Sequence, residues 1–523
     1  MRIREDKIDN YLLWMLVVSA LIRAFLAAFL EFGNDEVYYW TYAKYPDWSH
    51  FDHPGMVGWV MQLFSLNLLF DSELALRLSS VVFMTINTYI IYKMGCLIKN
   101  KLTGFYAALL YTSSVYAFVV TGIFILPDTP LMLFMLLSLY CFLKFFIGRE
   151  KNNGESSKND NVLLVLGGFL AGLSMLSKYS GVFIWSGVGL YILLYDRKLL
   201  KNKYLYISVF LSALCLLPLL IWNIQNDFIS FSFHGDRVGL FGKLHLEYFL
   251  GELAGEMLYN NPVNFVLIII ALVALVKGRS YISSTPRRLL LLFALPFVFV
   301  FWVFSLTRSI LPHWSSPAVT MLMLFPAAFL AEKQDVSEAG LRLPKSLVAS
   351  VLTIAVVVFV GVLEIKTGFI PMRFSEKSKT VSRWNETDVT MTIYGWRKIK
   401  PQFEAIRNEK VEAGMMKEDD GMIALQWFPL ANLDYYVAYP LGINMYGIGD
   451  IKKIHKYQWI NEERGGLKKG GDYWFLSESS DYYDPERYLK NSFESIVPCD
   501  TIVVDRCGNV GKYVFVYMCK GLK

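Results

Sequence analysis

The sequence predicts a polytopic α-helical membrane protein that carries a soluble α/β domain at its C-terminal end. Of 523 residues, 54% are hydrophobic and only 18% charged, too apolar a balance for a soluble chain of this length. The apolar residues come in long blocks, many near the roughly 20 residues that cross a hydrocarbon core. After about Lys366 the composition turns charged, glycine-rich and mixed. The net charge of +6 is modest, with the basic residues concentrated between apolar blocks and no basic arm or zinc-finger spacing. That pattern encodes topology and gives no sign of a nucleic-acid partner.

The start, MRIREDKIDN, is short and charged, and the apolar run that follows covers 11–30. No small-residue cleavage site follows it, so it reads as a retained signal anchor. Arg23 inside it costs at least ~2.5 kcal/mol by insertion scales and has to face protein or water. Further spans are expected at 74–98, 104–123, 129–147, 162–176, 181–195, 204–222, 262–276, 289–306, 314–330 and 347–363, about eleven transmembrane helices in all. The two spans flanking Lys178 are short and share a tight turn. Lysines and arginines favour alternate loops, which puts the N-terminus in the cytoplasm and everything after about Lys366 outside. The expected setting is a cytoplasmic membrane crossed many times. The domain expectation is a membrane domain over 1–365, with its first outer loop at 31–73, and an extracytoplasmic α/β domain over 366–523.

The first outer loop contains NDEVYYWTYAKYPDWSHFDHPGMVGW, where Asp35, Glu36, Asp47, His50, Asp52 and His53 stand among seven Tyr and Trp rings. Helical spacing at 37–45 and 55–70 predicts amphipathic helices at the membrane surface, separated by Pro46 and Pro54. A second long outer loop is expected at 223–261. In the C-terminal part, 401–411 reads as an amphipathic helix, and GMIALQW, GGDYWFLSES and KYVFVYMC read as strands. Cys499, Cys507 and Cys519 cluster there, where one disulfide is an option in an oxidising compartment.

The expected topology gathers Asp35, Glu36, Asp128, Lys178, Arg237 and Arg308 on one face of the membrane. A carboxylate can deprotonate or orient an acceptor hydroxyl, and nearby cations can hold a phosphate leaving group. Each residue also has a plainer role open to it. Asp128 could cap a helix, Lys178 could snorkel, and Arg237 and Arg308 could hold lipid phosphates nonspecifically. His53 in FDHPG could be a turn residue, and His313 lies in LPHWSSP. Glu36, His50, Asp52 and His53 are of the types that bind a divalent metal ion, but no HExxH, DxD or paired-Cys motif is present, so a cofactor stays open. No Walker loop, GxSxG or dinucleotide glycine pattern occurs.

Five motifs, NDEVYYWTYAKYPDWSHFDHPG, LPDTPLMLFMLLSLY, LSKYSGVFI, WNIQNDFISFSFHGDR and LPHWSSP, occur in an order that resembles bacterial relatives of protein O-mannosyltransferases and of the lipid A aminoarabinose transferase. These are GT-C-fold, family 39-like glycosyltransferases. The resemblance covers about residues 10–317 and implies an inverting membrane enzyme. Such an enzyme takes a sugar from a polyprenyl phosphate carrier on the outer face and gives it to a lipid or protein acceptor among membrane lipids. It further implies that Asp35, beside Glu36, is the first-loop acid and Asp128 the second-loop acid, and that Lys178 matches a basic position. On this reading Asp35 is the general base, Asp128 positions acceptor or sugar, and Lys178 and Arg237 neutralise the departing phosphate, while Tyr38, Tyr39 and Trp40 line the cavities. A lipid or solute transporter is the rival expectation, although no internal repeat is visible.

Overall fold

The computed structural model describes residues 2–3, 5–238, 243–332, 341–370 and 381–523. The chain divides into two compact units, one formed by residues 1–27 and 46–357 and the other by 28–45 and 358–523. The C-terminal segment of the second unit begins at 358. The transfer of 28–45 to the second unit was not anticipated.

The first unit is a helical membrane body. Among the described residues, eight helices are long and apolar enough to cross a membrane, or nine if one bent pair is a single span. All eleven expected stretches are largely helical, and three of them depart from a simple span. Residues 181–195 form the C-terminal part of a short apolar helix, Tyr179–Tyr195. Pro262–Val276 is bent by 101° from the preceding helix Leu246–Tyr259. The stretch 104–123 breaks after Lys101–Thr112 and resumes as a single wide turn, Tyr116–Val120. At the break Ser113 donates to the Leu110 carbonyl at 2.9 Å, and Ser114 donates to the Tyr259 carbonyl at 3.2 Å. Side chains that hydrogen-bond the backbone locally compete with the helical ladder, and wide turns of this kind recur at functional sites.

Close packing fixes these helices. Gly95 of helix Glu73–Ile98 approaches Gly104 so nearly that a Cβ there would lie 2.6 Å from the Gly104 Cα. The expected outer loop 223–261 holds two further helices, Ile229–Val238 and Leu246–Tyr259.

The second unit is built on a five-stranded mixed sheet in the order Met445–Gly447, Gly421–Ala424, Tyr473–Glu478, Asn509–Leu522, Phe493–Arg506. The first three strands are parallel and the last two form a long antiparallel hairpin. Three of the strands and the helix Ile399–Glu412 agree with the sequence patterns. Phe493–Arg506 escaped because it is an edge strand with mostly exposed side chains. Its Pro498 sits at a register shift, where a missing N–H is tolerated. All six cysteines are free. No disulfide forms among Cys499, Cys507 and Cys519, since Cys519 is buried opposite Ile496 in the sheet and Cys507 is exposed at the hairpin turn.

Candidate active site

Two helix ends meet in the first unit. Asp128 is the first residue of helix Asp128–Lys151, preceded by Pro127 and followed by Pro130 in the first turn. Proline loses nothing in a first turn, where the N–H has no intrahelical partner. Lys178 is the residue at which helix Lys158–Ser177 stops, in extended conformation, before a new turn begins at Tyr179. The carboxylate stands at the positive end of one helix and the ammonium at the negative end of the other.

They form an ion pair, Lys178 Nζ to Asp128 Oδ2, of 2.7 Å, with side chains 12% and 3% exposed. Tyr116, carried by the wide turn, donates its hydroxyl to Asp128 Oδ1 at 2.9 Å. Both carboxylate oxygens are therefore engaged. His313 lies within electrostatic reach of Asp128 and Lys178, and its ring is 5.6 Å from that of Tyr259.

The loop 46–55 joins this cluster. His53 feels the charges of Asp52, His234, Lys178 and Asp128, while burial pushes its imidazole down to about 3, so it is neutral near pH 7. His234, from helix Ile229–Val238, approaches the Asp52 carbonyl oxygen through Nε2 at 2.6 Å. A carbonyl only accepts, so that nitrogen carries the proton. Tyr179 packs edge-on against His234 at 4.9 Å, and Ser230 donates to the His50 carbonyl at 3.1 Å. Asp47 anchors the other side of the loop, accepting the Trp222 indole N–H at Oδ2 (2.7 Å) and that of Trp59 at its backbone oxygen (3.2 Å).

Of the expected site residues, Asp128, Lys178, His53 and His313 are brought together. Arg308 is half-buried in the turn after helix Ser284–Ser305, its backbone N–H bonded to the Phe304 carbonyl at 3.1 Å. Arg237 belongs to helix Ile229–Val238, and its side chain lies outside the described residues. Tyr116, Tyr179 and His234 were not expected: Tyr116 stands in an apolar run without a motif, and Tyr179 and His234 lie inside two of the motifs beside the charged residues that drew the reading.

Asp35, Glu36, Tyr38, Tyr39 and Trp40 belong to the second unit, on helix Asn34–Lys44. Asp35 is exposed in the first turn. Glu36 is buried and accepts the Gly33 N–H at 3.0 Å, the reciprocal bond of a capping box. The rings expected to line a cavity are packed into an aromatic core. Tyr38 meets Trp427 at 5.3 Å, and Trp40 meets Tyr435 and Tyr439 at 5.2 and 5.4 Å. Among the described residues no group of three or more His, Cys, Asp or Glu is arranged to hold a metal ion.

Comparison with known proteins agrees with this architecture. Residues 52–222 match the family model for dolichyl-phosphate-mannose-protein mannosyltransferase. The lipid A galacturonosyltransferase RgtD of Rhizobium johnstonii is 22% identical over 297 residues, 55% of this chain and 58% of that protein. The matched stretch thus spans a little over half of that relative. ArnT from Cupriavidus metallidurans, in a crystal structure bound to undecaprenyl phosphate, superposes with a TM-score of 0.59 at 13% identity, covering 96% of this chain and 97% of that one. Its apo form gives 0.58, again at 13% identity, over 97% and 98%. The fold is that of a GT-C multi-pass membrane protein. In fold and in part of its sequence the chain is similar to GT-C glycosyltransferases of the family 39 and ArnT-like kind.

Proposed function

We propose that this chain is an inverting membrane glycosyltransferase that moves a sugar from a polyprenyl phosphate to a lipid or protein acceptor at the outer face of the bacterial inner membrane. The N-terminus lies in the cytoplasm in this reading, and residues 366–523 lie outside. The observation that carries it is the buried Asp128–Lys178 pair, a cation held in place by a carboxylate where two helices end. Such a pair fixes an ammonium against thermal wandering, ready to meet a phosphate oxygen.

In the reaction the acceptor oxygen attacks the anomeric carbon from the face opposite the phosphate. The carbon–oxygen bond to phosphate breaks, and the lipid phosphate leaves with the electron pair. Lys178 stabilises that charge, assisted by Arg237 and Arg308. The acceptor proton passes to a carboxylate, the role that the resemblance gives to Asp35, whose side chain is exposed in the first turn of helix Asn34–Lys44. His53 and His313 add hydrogen-bonding capacity for sugar hydroxyls. Support comes from the chemistry of these side chains and from the resemblance to polyprenyl-phosphate-dependent relatives.

The test is transfer by the purified protein in detergent from a panel of polyprenyl-phosphate sugars to membrane lipid and protein, beside Asp35→Asn. Asp35→Asn is expected to lose 10²–10⁴-fold in turnover, about what general-base catalysis supplies. Wild-type turnover by Asp35→Asn would remove Asp35 from the mechanism. A folded wild-type protein that makes no product from any donor would revive the transporter reading.

A further inference from the structure

The helix Leu246–Tyr259 carries two carboxylates that the proposed reaction does not use. Glu252 and Glu256 are four residues apart and therefore share one helix face. Their side chains are buried, at 2% and 1% exposure, and neither forms an ion pair with any described residue. Glu256 accepts the Trp302 indole N–H through Oε2 at 3.1 Å and is bonded to Ser315. Its Oε1 has no donor, and neither has Oε1 or Oε2 of Glu252.

One turn further on, Asn260 is fully buried. Both its N–H groups are occupied, by the Glu256 carbonyl at 2.9 Å and Ser316 Oγ at 3.0 Å, which fixes the amide orientation. Its Oδ1 is the fourth buried oxygen without a donor. Every unsatisfied side-chain atom on this strip is thus an acceptor. One proton shared between the carboxyl groups would satisfy one such contact and leave the rest.

Burying unpaired carboxylates is costly, and so is leaving buried acceptors unmet. Buried ionisable groups beside a break between two apolar helices are the kind of place where ion and substrate sites are built. The break here is the 101° bend immediately after Asn260. Gly255 lets Pro312 pack directly on the helix, since a Cβ there would fall 2.3 Å from the proline ring. That contact brings in the turn Pro312–Ser315, which also carries His313 of the Asp128–Lys178 cluster.

We propose that Glu252, Glu256 and Asn260 form a cation site. Its ligand is either a protonated amine, whose N–H donors meet the unsatisfied oxygens, or a divalent metal ion that keeps most of its waters. No third acidic or imidazole ligand joins the pair among the described residues, so a metal held here is largely hydrated.

The test uses the full-length protein in detergent and reads binding, independently of sugar transfer. Mn²⁺ is titrated and followed by electron paramagnetic resonance, and glucosamine is titrated and followed by thermal unfolding. Wild type is compared with Glu252→Gln and Glu256→Gln. Saturable binding of about one Mn²⁺ per chain, weakened tenfold or more in both variants, establishes the metal form. No Mn²⁺ binding, but stabilisation by glucosamine that neutral glucose does not match and that the variants lose, establishes the ammonium form. Neither response, or responses equal in wild type and variants, overturns the proposal. Glu252→Gln loses no hydrogen bond and carries the test even if Glu256→Gln fails to fold.

Discussion

Lys178 and Asp128 are 50 residues apart in sequence, yet they meet at 2.7 Å, each at the end of its own helix. Breaking this pair leaves an uncompensated charge in a nearly dry site, at a cost of about 3–5 kcal/mol. Lys178→Met is therefore expected to lower thermal stability sharply. Adding Asp128→Asn should recover much of that stability while turnover stays lost. A stable, active Lys178→Met enzyme would show that the pair is dispensable.

The loop at His53 should make the protein acid-sensitive in a defined window. Its folded value of about 3 lies below the ordinary 6.5, so the unfolded chain binds a proton that the folded loop refuses. Stability from this group is complete above about pH 6.5 and is lost as the pH falls from there towards 3. Unfolding temperatures of wild type and His53→Gln should converge, or cross, on going from pH 7 to 4.5. A constant difference across that range contradicts the assignment.

Gly55 is held where a side chain cannot go. A Cβ would lie 2.7 Å from the Asp47 carbonyl oxygen and 3.0 Å from the Trp59 ring. Gly55→Ala is expected to displace Asp47, loosen its bonds to Trp59 and Trp222, and shift the loop that carries His53. Misplacement of about 1 Å costs on the order of 10²-fold in rate. Steady-state kinetics should show that loss in kcat/KM, and an unchanged value would mean that the loop tolerates the shift.

In the second unit, Lys512 Nζ lies 2.8 Å from Glu478 Oε2 and 3.6 Å from the centroid of the Trp396 ring, with the two charged side chains 0% and 2% exposed. Lys512→Met should destabilise the protein by about 3–5 kcal/mol, and combining it with Glu478→Leu should restore part of that. Denaturant unfolding checks both. A single variant within about 0.5 kcal/mol of wild type would contradict the prediction.

The spans were legible because hydrophobic length is a strong signal, and Asp128 and Lys178 were legible because a charge at the edge of an apolar block stands out. The break at Ser113–Ser114 was not, because hydroxyls beside an apolar run are common and only packing decides whether they bond the backbone. Glu252 and Glu256 were hidden for the opposite reason. Set in a segment that reads as an outer loop, acidic residues look solvated, and only the folded chain buries them. Helix Asn34–Lys44 was recognised as a helix. Its aromatic residues surround it on several faces, so periodicity could not say which partner they would choose.

That partner arrives late. Phe32 donates its backbone N–H to the Tyr436 hydroxyl at 2.7 Å across 404 residues of chain. At about 5–20 residues per second, synthesis leaves the aromatic helix waiting on the order of 20–80 s for the rest of its core. During that interval Tyr38 and Trp40 lack Trp427, Tyr435 and Tyr439, the rings they pack against in the folded unit. Nor can the second unit be freed by cutting the chain once, because a fragment beginning at 358 would lack one wall of its own interior.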